Sequence, residues 1–326
     1  MSLTLKQILK WGIAGLLVWW LIGHVDWITV LGILKQVSLP LIGLYCVLQL
    51  VGNLLSAAKW QMIAKTQGFT FSLRDGFFSY LSGAFINNFL PSTIGGDTYR
   101  TLWMSEPGKR FEAFTVVLFD RLSGLLALFL SAAVGLFLLP WQAFIADPIL
   151  IIIGLVIISM TVCILISLFW FTGLFELVLL IVDWVPFAIF ERIKQMIERF
   201  RPLIEIDLYL KSLLYSLVFL GIGVGLSNLF LWQALGAPFP LLTFFGCIFL
   251  ATLIANIPIS VNNIGVKEWS YILVFGLVGA SPELAVTAAL LSRLLQMLLS
   301  FIAVPAYLRF KRVANKQALS LSQVIE

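Results

Sequence analysis

Apolar residues run along this chain in long blocks separated by short polar stretches, with little of the two-residue alternation that strands require. Six blocks, at about 11–23 with its flank, 39–56, 112–139, 149–171, 212–235 and 283–308, are long enough to cross a bilayer. A helical span needs about 20 apolar residues. Two further blocks, about 77–91 and 241–258, stop at polar, helix-breaking segments. The first ends in INNFLPSTIGGDTYR, residues 86–100, and the second in ANIPISVNNIGVKE, residues 255–268. Both follow the order Asn, Pro, hydroxyl, Gly, charged pair. In the first these are Asn87, Asn88, Pro91, Ser92, Thr93, Gly95, Gly96, Asp97 and Arg100. In the second they are Asn256, Pro258, Ser260, Asn262, Asn263, Gly265, Lys267 and Glu268.

Proline removes a backbone donor and glycine permits a sharp reversal. Each freed backbone group costs several kcal/mol in hydrocarbon, so such a break survives only inside protein or along a wet cavity. Amide and hydroxyl side chains pair with the freed groups. The two segments therefore read as re-entrant turns, over about 77–100 and 241–268, that line a polar cavity.

Positive charge sets the topology. With six spans and two segments that dip and return, the pieces 1–10, 57–76, 92–111, 172–211 and 309–326 share one side and hold 17 of the 21 Lys/Arg. The opposite side holds Lys35 alone. Such asymmetry marks the cytoplasmic face and puts both termini there. The two re-entrant segments then enter from opposite sides, the inverted-repeat relation of transporters with discontinuous helices. Residues 186–206 alternate apolar and charged positions at helical spacing and read as an amphipathic helix on the inner surface. The fold class expected is all-α: one polytopic membrane domain over 1–326, in the cell (inner) membrane, its first span a retained signal-anchor.

Composition agrees with this picture: 61% of residues are hydrophobic, 11% are charged and the mean hydropathy is +1.04. Cys46, Cys163 and Cys247 lie in apolar stretches, and His24 is the one histidine, so no metal site or Ser/His/Asp set is expected. No GxxxxGK[ST] loop occurs, and no cofactor is expected. Three basic residues remain inside or beside the membrane: Arg121, Lys267 and Arg293. An arginine at that depth costs a few kcal/mol and should face a partner or water. Two roles stay open at this point, an ion pair of Arg293 with Glu268 or Asp120, or contact with an anionic headgroup, for which the planar guanidinium suits phosphate. Glu283, after Ser281 and Pro282, reads as the start of the last helix.

The runs NNFLPSTIGGDTYR, VVLFDRLSGL and IPISVNNIGVKEW with the later AALLSRLLQ resemble the transmembrane domain of lysylphosphatidylglycerol synthases over about residues 10–310. The resemblance implies a stand-alone member without the aminoacyltransferase domain, similar to the flippase half that moves aminoacylated phosphatidylglycerol outward. It implies importance for Pro91, Gly95, Gly96, Asp97, Arg100, Arg121, Gly265, Glu268 and Arg293. An arginine often precedes the glutamate of the second block, and here Lys267 keeps that charge.

The function expected is a lipid translocator that passes a phospholipid or lipid-linked headgroup through the polar cavity. Arg121 and Arg293 would be phosphate contacts, and Asn87, Asn88, Asp97, Arg100, Asn262, Lys267 and Glu268 would complete the lining. Pro91, Gly95, Gly96, Pro258 and Gly265 would be the structural breaks. Two alternatives stand beside it: a membrane-embedded transferase using Asp97 or Glu268 as base, and a non-transporting scaffold for a lipid-synthase partner. No nucleic-acid partner is expected.

Overall fold

The structure is a computed structural model that describes residues 3–89, 94–139, 151–152, 154–162, 203 and 205–310. Pro91, Cys163, most of the 149–171 block and nearly all of the expected surface helix at 186–206 lie outside the described residues. Among the described residues there is no strand, and the elements are α1 (Leu3–His24), α2 (Trp27–Lys35), α3 (Leu39–Thr66), α4 (Leu73–Phe89), α5 (Ile94–Met104) and α6 (Arg110–Leu138). Further on come α7 (Ile206–Ala234), α8 (Leu241–Ala255), α9 (Val266–Gly276) and α10 (Pro282–Phe310). The stretches 151–152 and 154–162 are also helical.

Four of these, α3, α6, α7 and α10, are 28 or 29 residues long and apolar enough to cross a membrane. At 1.5 Å per residue each is about 42 Å, longer than the hydrocarbon core of about 30 Å. A fifth candidate is α1 with α2, bent by 81° between them. Asp26 makes that bend by capping α2, accepting from the Ile28 amide at 3.0 Å and from the Thr29 hydroxyl at 2.6 Å. The 24–38 stretch expected as an external loop thus contains a helix. The protein is a multi-pass membrane protein.

Helix α3 corrects the sequence reading, because it runs to Thr66 rather than ending near residue 56. Hydropathy falls at Gln61, Lys65 and Thr66, but none of these breaks a helix. Lys59, counted with a cytoplasmic loop, is therefore buried inside the bundle. At the start of α10, Pro282 occupies the first turn as expected; the Ser281 hydroxyl accepts from the Leu284 amide, and Glu283 only adds charge to that turn.

The two interrupted blocks each fold into a helical hairpin. In the first, α4 returns as α5, and the legs touch at glycine: the Gly96 amide donates to Asn87 Oδ1 at 2.7 Å, and a methyl on Gly96 would strike the Gly83 carbonyl. In the second, α8 returns as α9, with buried Cys247 3.9 Å from the Val274 carbonyl and Phe244 against Phe275. That hairpin carries the largest core among the described residues, where Trp232 stacks on Phe275 at 4.1 Å between ring centres.

Side-chain contacts fix the end of the bundle at which each hairpin connects the long helices. Lys59, near the end of α3, meets Asp120 and Ser216, each ten residues into its helix, so α6 and α7 begin where α3 ends. The first hairpin joins α3 to α6 at that end. The second joins α7 to α10 at the other end, and Gly246 of α8 sits against Gly135 near the close of α6. The two hairpins thus connect long helices at opposite ends of the bundle. A π-helical turn at Leu220–Leu226 interrupts α7, where Gly223 touches Gly52 and its carbonyl accepts from Gln49 Nε2 at 2.9 Å.

The Gly83–Gly96 contact makes a prediction. Gly96→Val should destabilise the detergent-solubilised protein on the scale of a core overpacking, about 1–3 kcal/mol, read as a lowered thermal midpoint. Gly12→Ala, with nothing within 4 Å of the new methyl, is the control. Equal midpoints for the two variants would mean that the hairpin legs are not in contact.

Candidate functional site

The first charged assembly joins α3, α5 and α6. Its centre is Asp120, ten residues and about 15 Å into α6. Lys59 approaches one carboxylate oxygen at 3.0 Å, and Arg100 bonds the other at 2.8 Å. The Lys59 ammonium also donates to the Asp120 carbonyl (2.9 Å) and to the hydroxyls of Ser216 (3.0 Å) and Ser123 (3.3 Å). Arg100 lies over the faces of Tyr80 and Trp60, 4.6 and 5.4 Å from the ring centres. One turn back on α5, Asp97 takes Arg100 at 2.9 Å and then Arg121 Nε at 2.9 Å.

Charges of alternating sign therefore run Lys59, Asp120, Arg100, Asp97, Arg121. Side-chain exposure along that order is 7, 3, 4, 24 and 48%. At the buried end each Asp120 carboxylate oxygen faces a cation. At the open end Arg121 is held through Nε alone, and its two terminal amino groups bond nothing among the described residues.

The second assembly forms where α8 breaks before α9. Asn262 and Asn263 both take left-handed backbone conformations, φ 49° and 55°, and Gly265 follows at φ 81°. Asparagine tolerates that region and glycine enters it freely. The reversal turns the Asn262 and Asn263 carbonyls toward α10, where Arg293 donates to them at 2.9 and 3.1 Å. The same guanidinium pairs with buried Glu268 at 3.1 Å. The other Glu268 oxygen accepts from the Gly265 amide at 2.8 Å, one half of a capping box; glycine has no side chain to supply the other half. All three Arg293 nitrogens are engaged.

Lys267 differs. Its ammonium donates to the Ser292 hydroxyl at 2.8 Å and lies 5.8 Å from the Tyr271 ring centre, with no carboxylate at ion-pairing distance among the described residues.

The two assemblies are linked through α10. Asn88, at the tip of the first hairpin, donates to Ser300 at 2.8 Å. Arg293 holds the second hairpin seven residues earlier, two turns and about 10 Å away. Gln296 lies between them on the same face, is exposed, and donates to the Tyr45 hydroxyl at 3.2 Å. At the tip of the second hairpin, residues 256–259 are all exposed, Pro258 among them.

The expected residues thus divide between the two assemblies. Asp97, Arg100 and Arg121 join one; Asn262, Lys267, Glu268 and Arg293 meet in the other, with Gly265 at its turn. Asn87, Asn88 and Gly96 serve the first hairpin, where Gly95 is one residue into α5. Asn262 takes part through its backbone carbonyl. Lys59 was missed. The signal that could have found it is the row Gln49, Gly52, Ser56, Lys59 at helical spacing, all of them buried. No group of His, Cys, Asp and Glu able to hold a metal occurs among the described residues.

The family model for the lysylphosphatidylglycerol synthase transmembrane region matches residues 7–303. The chain belongs to this family. No curated protein matches it. Membership in the lysylphosphatidylglycerol synthase transmembrane family gives the protein a membrane lipid-related function.

Removing Asp120 leaves two buried cations facing each other. Asp120→Asn should cost about 3–5 kcal/mol of stability, the scale of breaking a buried ion pair. Adding Lys59→Met should cost less than the sum of the two single changes, read as thermal or denaturant midpoints in a double-mutant cycle. Strict additivity would mean that the pair is not coupled.

Proposed function

We propose that this protein moves a phospholipid or lipid-linked molecule between leaflets, its headgroup crossing along α10 while the acyl chains stay in the bilayer. The observation that carries this reading is the pair of hairpins, connected to opposite ends of the bundle, that both meet α10 at points about two turns apart. Between them runs a polar row, Arg293, Gln296 and Ser300, and the break at residues 256–259 is exposed. An exposed, non-helical segment in a membrane protein is tolerated only against protein or water, so the row and the break together favour a wet path across the centre. Family membership supports a lipid as the cargo.

In this reading Arg121 is the headgroup contact. Asp97 orients its guanidinium through Nε, and the terminal amino groups, which bond nothing among the described residues, form the planar fork that pairs with phosphate oxygens. Arg293, with all three nitrogens and four of its five N–H donors engaged, is a positioning residue that holds the second hairpin to α10. The carboxylates considered as catalytic bases, Asp97 and Glu268, are both engaged by arginine, which favours transport over transfer chemistry. The protein then lies in the cell membrane with both termini and the Arg121 end of the bundle facing the cytoplasm.

The test is leaflet exchange in phosphatidylcholine vesicles carrying trace acyl-labelled fluorescent phosphatidylglycerol, followed by dithionite quenching. Vesicles with the wild-type protein should exchange label far faster than empty ones. Arg121→Gln should slow exchange about tenfold, the worth of one charge-assisted hydrogen bond. Wild-type rates no higher than those of empty vesicles would end the translocator reading.

A further inference from the structure

On α10, exposed Leu290, Leu294 and Leu298 recur at four-residue spacing and mark the side that faces lipid. Gln296 stands two residues from Leu294 and two from Leu298. At about 100° per residue it points about 160° away from both, toward the protein. Its neighbours on that side, Ala289, Ser292 and Ser300 at helical spacing, are all buried, yet Gln296 is exposed. An open side chain within a buried row marks a gap between helices, not the lipid surface. Gln296 is also the central residue of the 29 that form α10, which sets the gap near the middle of the bilayer.

The hydrogen bonds beside it fix which end of the amide faces that gap. Tyr45, wholly buried on α3, donates its phenol proton to the Ser292 carbonyl at 3.3 Å. A phenol has one proton, so the Tyr45 oxygen can only accept from Gln296, and the amide nitrogen takes that place at 3.2 Å. The Gln296 carbonyl oxygen is left turned away from Tyr45, with no partner among the described residues. The second amide N–H suits any phosphate or ester oxygen, which all phospholipids carry. The carbonyl is more exacting. Only an O–H or N–H group satisfies it, and an acceptor left without a donor in a poorly solvated site is costly.

We propose that Gln296 makes the path selective for lipids whose headgroup carries a hydrogen-bond donor, a hydroxyl or an N–H, over phosphatidylcholine, whose trimethylammonium has none. Tyr45 is the positioning residue that holds the amide in this orientation. The proposal rests on the translocator reading and names a chemical feature of its cargo. Glycerol, sugar, ethanolamine and aminoacyl headgroups all carry such a donor, so the criterion is the donor and not the net charge.

A methylation series tests it. Phosphatidylethanolamine, its monomethyl and dimethyl derivatives and phosphatidylcholine share one phosphate and one cationic nitrogen. Bulk grows at every step, but the last N–H is lost only with the third methyl. Purified protein is equilibrated in vesicles of equal parts of the four, with identical acyl chains, re-extracted in mild detergent, and its retained lipid quantified by mass spectrometry. Wild-type protein should hold each of the first three about tenfold over phosphatidylcholine. Gln296→Met, which keeps the length and removes the amide, should retain all four equally. Tyr45→Phe should lower the preference, and exposed Gln296 keeps the test open should that buried change unfold the protein. An even decline with each methyl would assign the discrimination to size, and equal retention of all four by wild type would mean that water serves the carbonyl. Either result, or a preference unmoved by Gln296→Met, would overturn the proposal. Excess soluble phosphoethanolamine should leave the retained lipid in place; its displacement would overturn the assignment to a lipid headgroup. Leaflet exchange of acyl-labelled forms is followed on the same preparation. Exchange without the preference overturns this proposal alone, and the preference without exchange faults the transport reading and leaves the donor site standing.

Discussion

A carboxylate buried in a membrane protein must be matched, and Asp120 is matched twice, by Lys59 from α3 and Arg100 from α5. Much of the first half of the molecule is organised around that requirement. The pairing ties the first hairpin to two long helices at a point where apolar packing alone would not fix its depth, because lipid competes with any apolar contact there. It also holds Arg100 where its other edge bonds Asp97, which in turn orients Arg121. Ion pairs of this kind are poor sources of net stability but strong sources of register. Here the register decides where the exposed guanidinium stands.

The second half meets the same problem with main-chain atoms. Arg293 is neutralised by Glu268 and then completed by two carbonyls that only a left-handed turn could present. Both halves therefore use arginine to stabilise an interrupted helix, yet one arginine is consumed in doing so and the other is not. That difference separates a strut from a binding group, and it lies in partner count rather than in residue type.

How much of this was legible in the sequence follows from range. The hairpins were legible because Pro, Gly and Asn act on their own backbone, and their local chemistry announces a break wherever they cluster in an apolar run. The distribution of Lys and Arg led to the expectation that they enter from opposite sides. Lys59 was not legible, since hydropathy near it looks like a helix end and its partners Asp120 and Ser216 are 61 and 157 positions away. Arg100 was singled out by its motif and yet counted with a loop. Arg121 and Arg293 looked alike because whether a guanidinium is saturated is decided by tertiary contacts that no local pattern encodes.

The left-handed pair at Asn262 and Asn263 bears on how sequence variation in this protein should be read. Their contribution to Arg293 comes through carbonyl oxygens, which every amino acid carries, while their side chains are needed only because asparagine accepts a positive φ. Exchange to glycine or aspartate preserves the turn, whereas valine or isoleucine at the same place forces the chain out of it. Tolerance at these two positions therefore tracks backbone permissiveness, and an amide restricted to this turn would be mistaken for a ligand-binding group by anyone counting side chains alone.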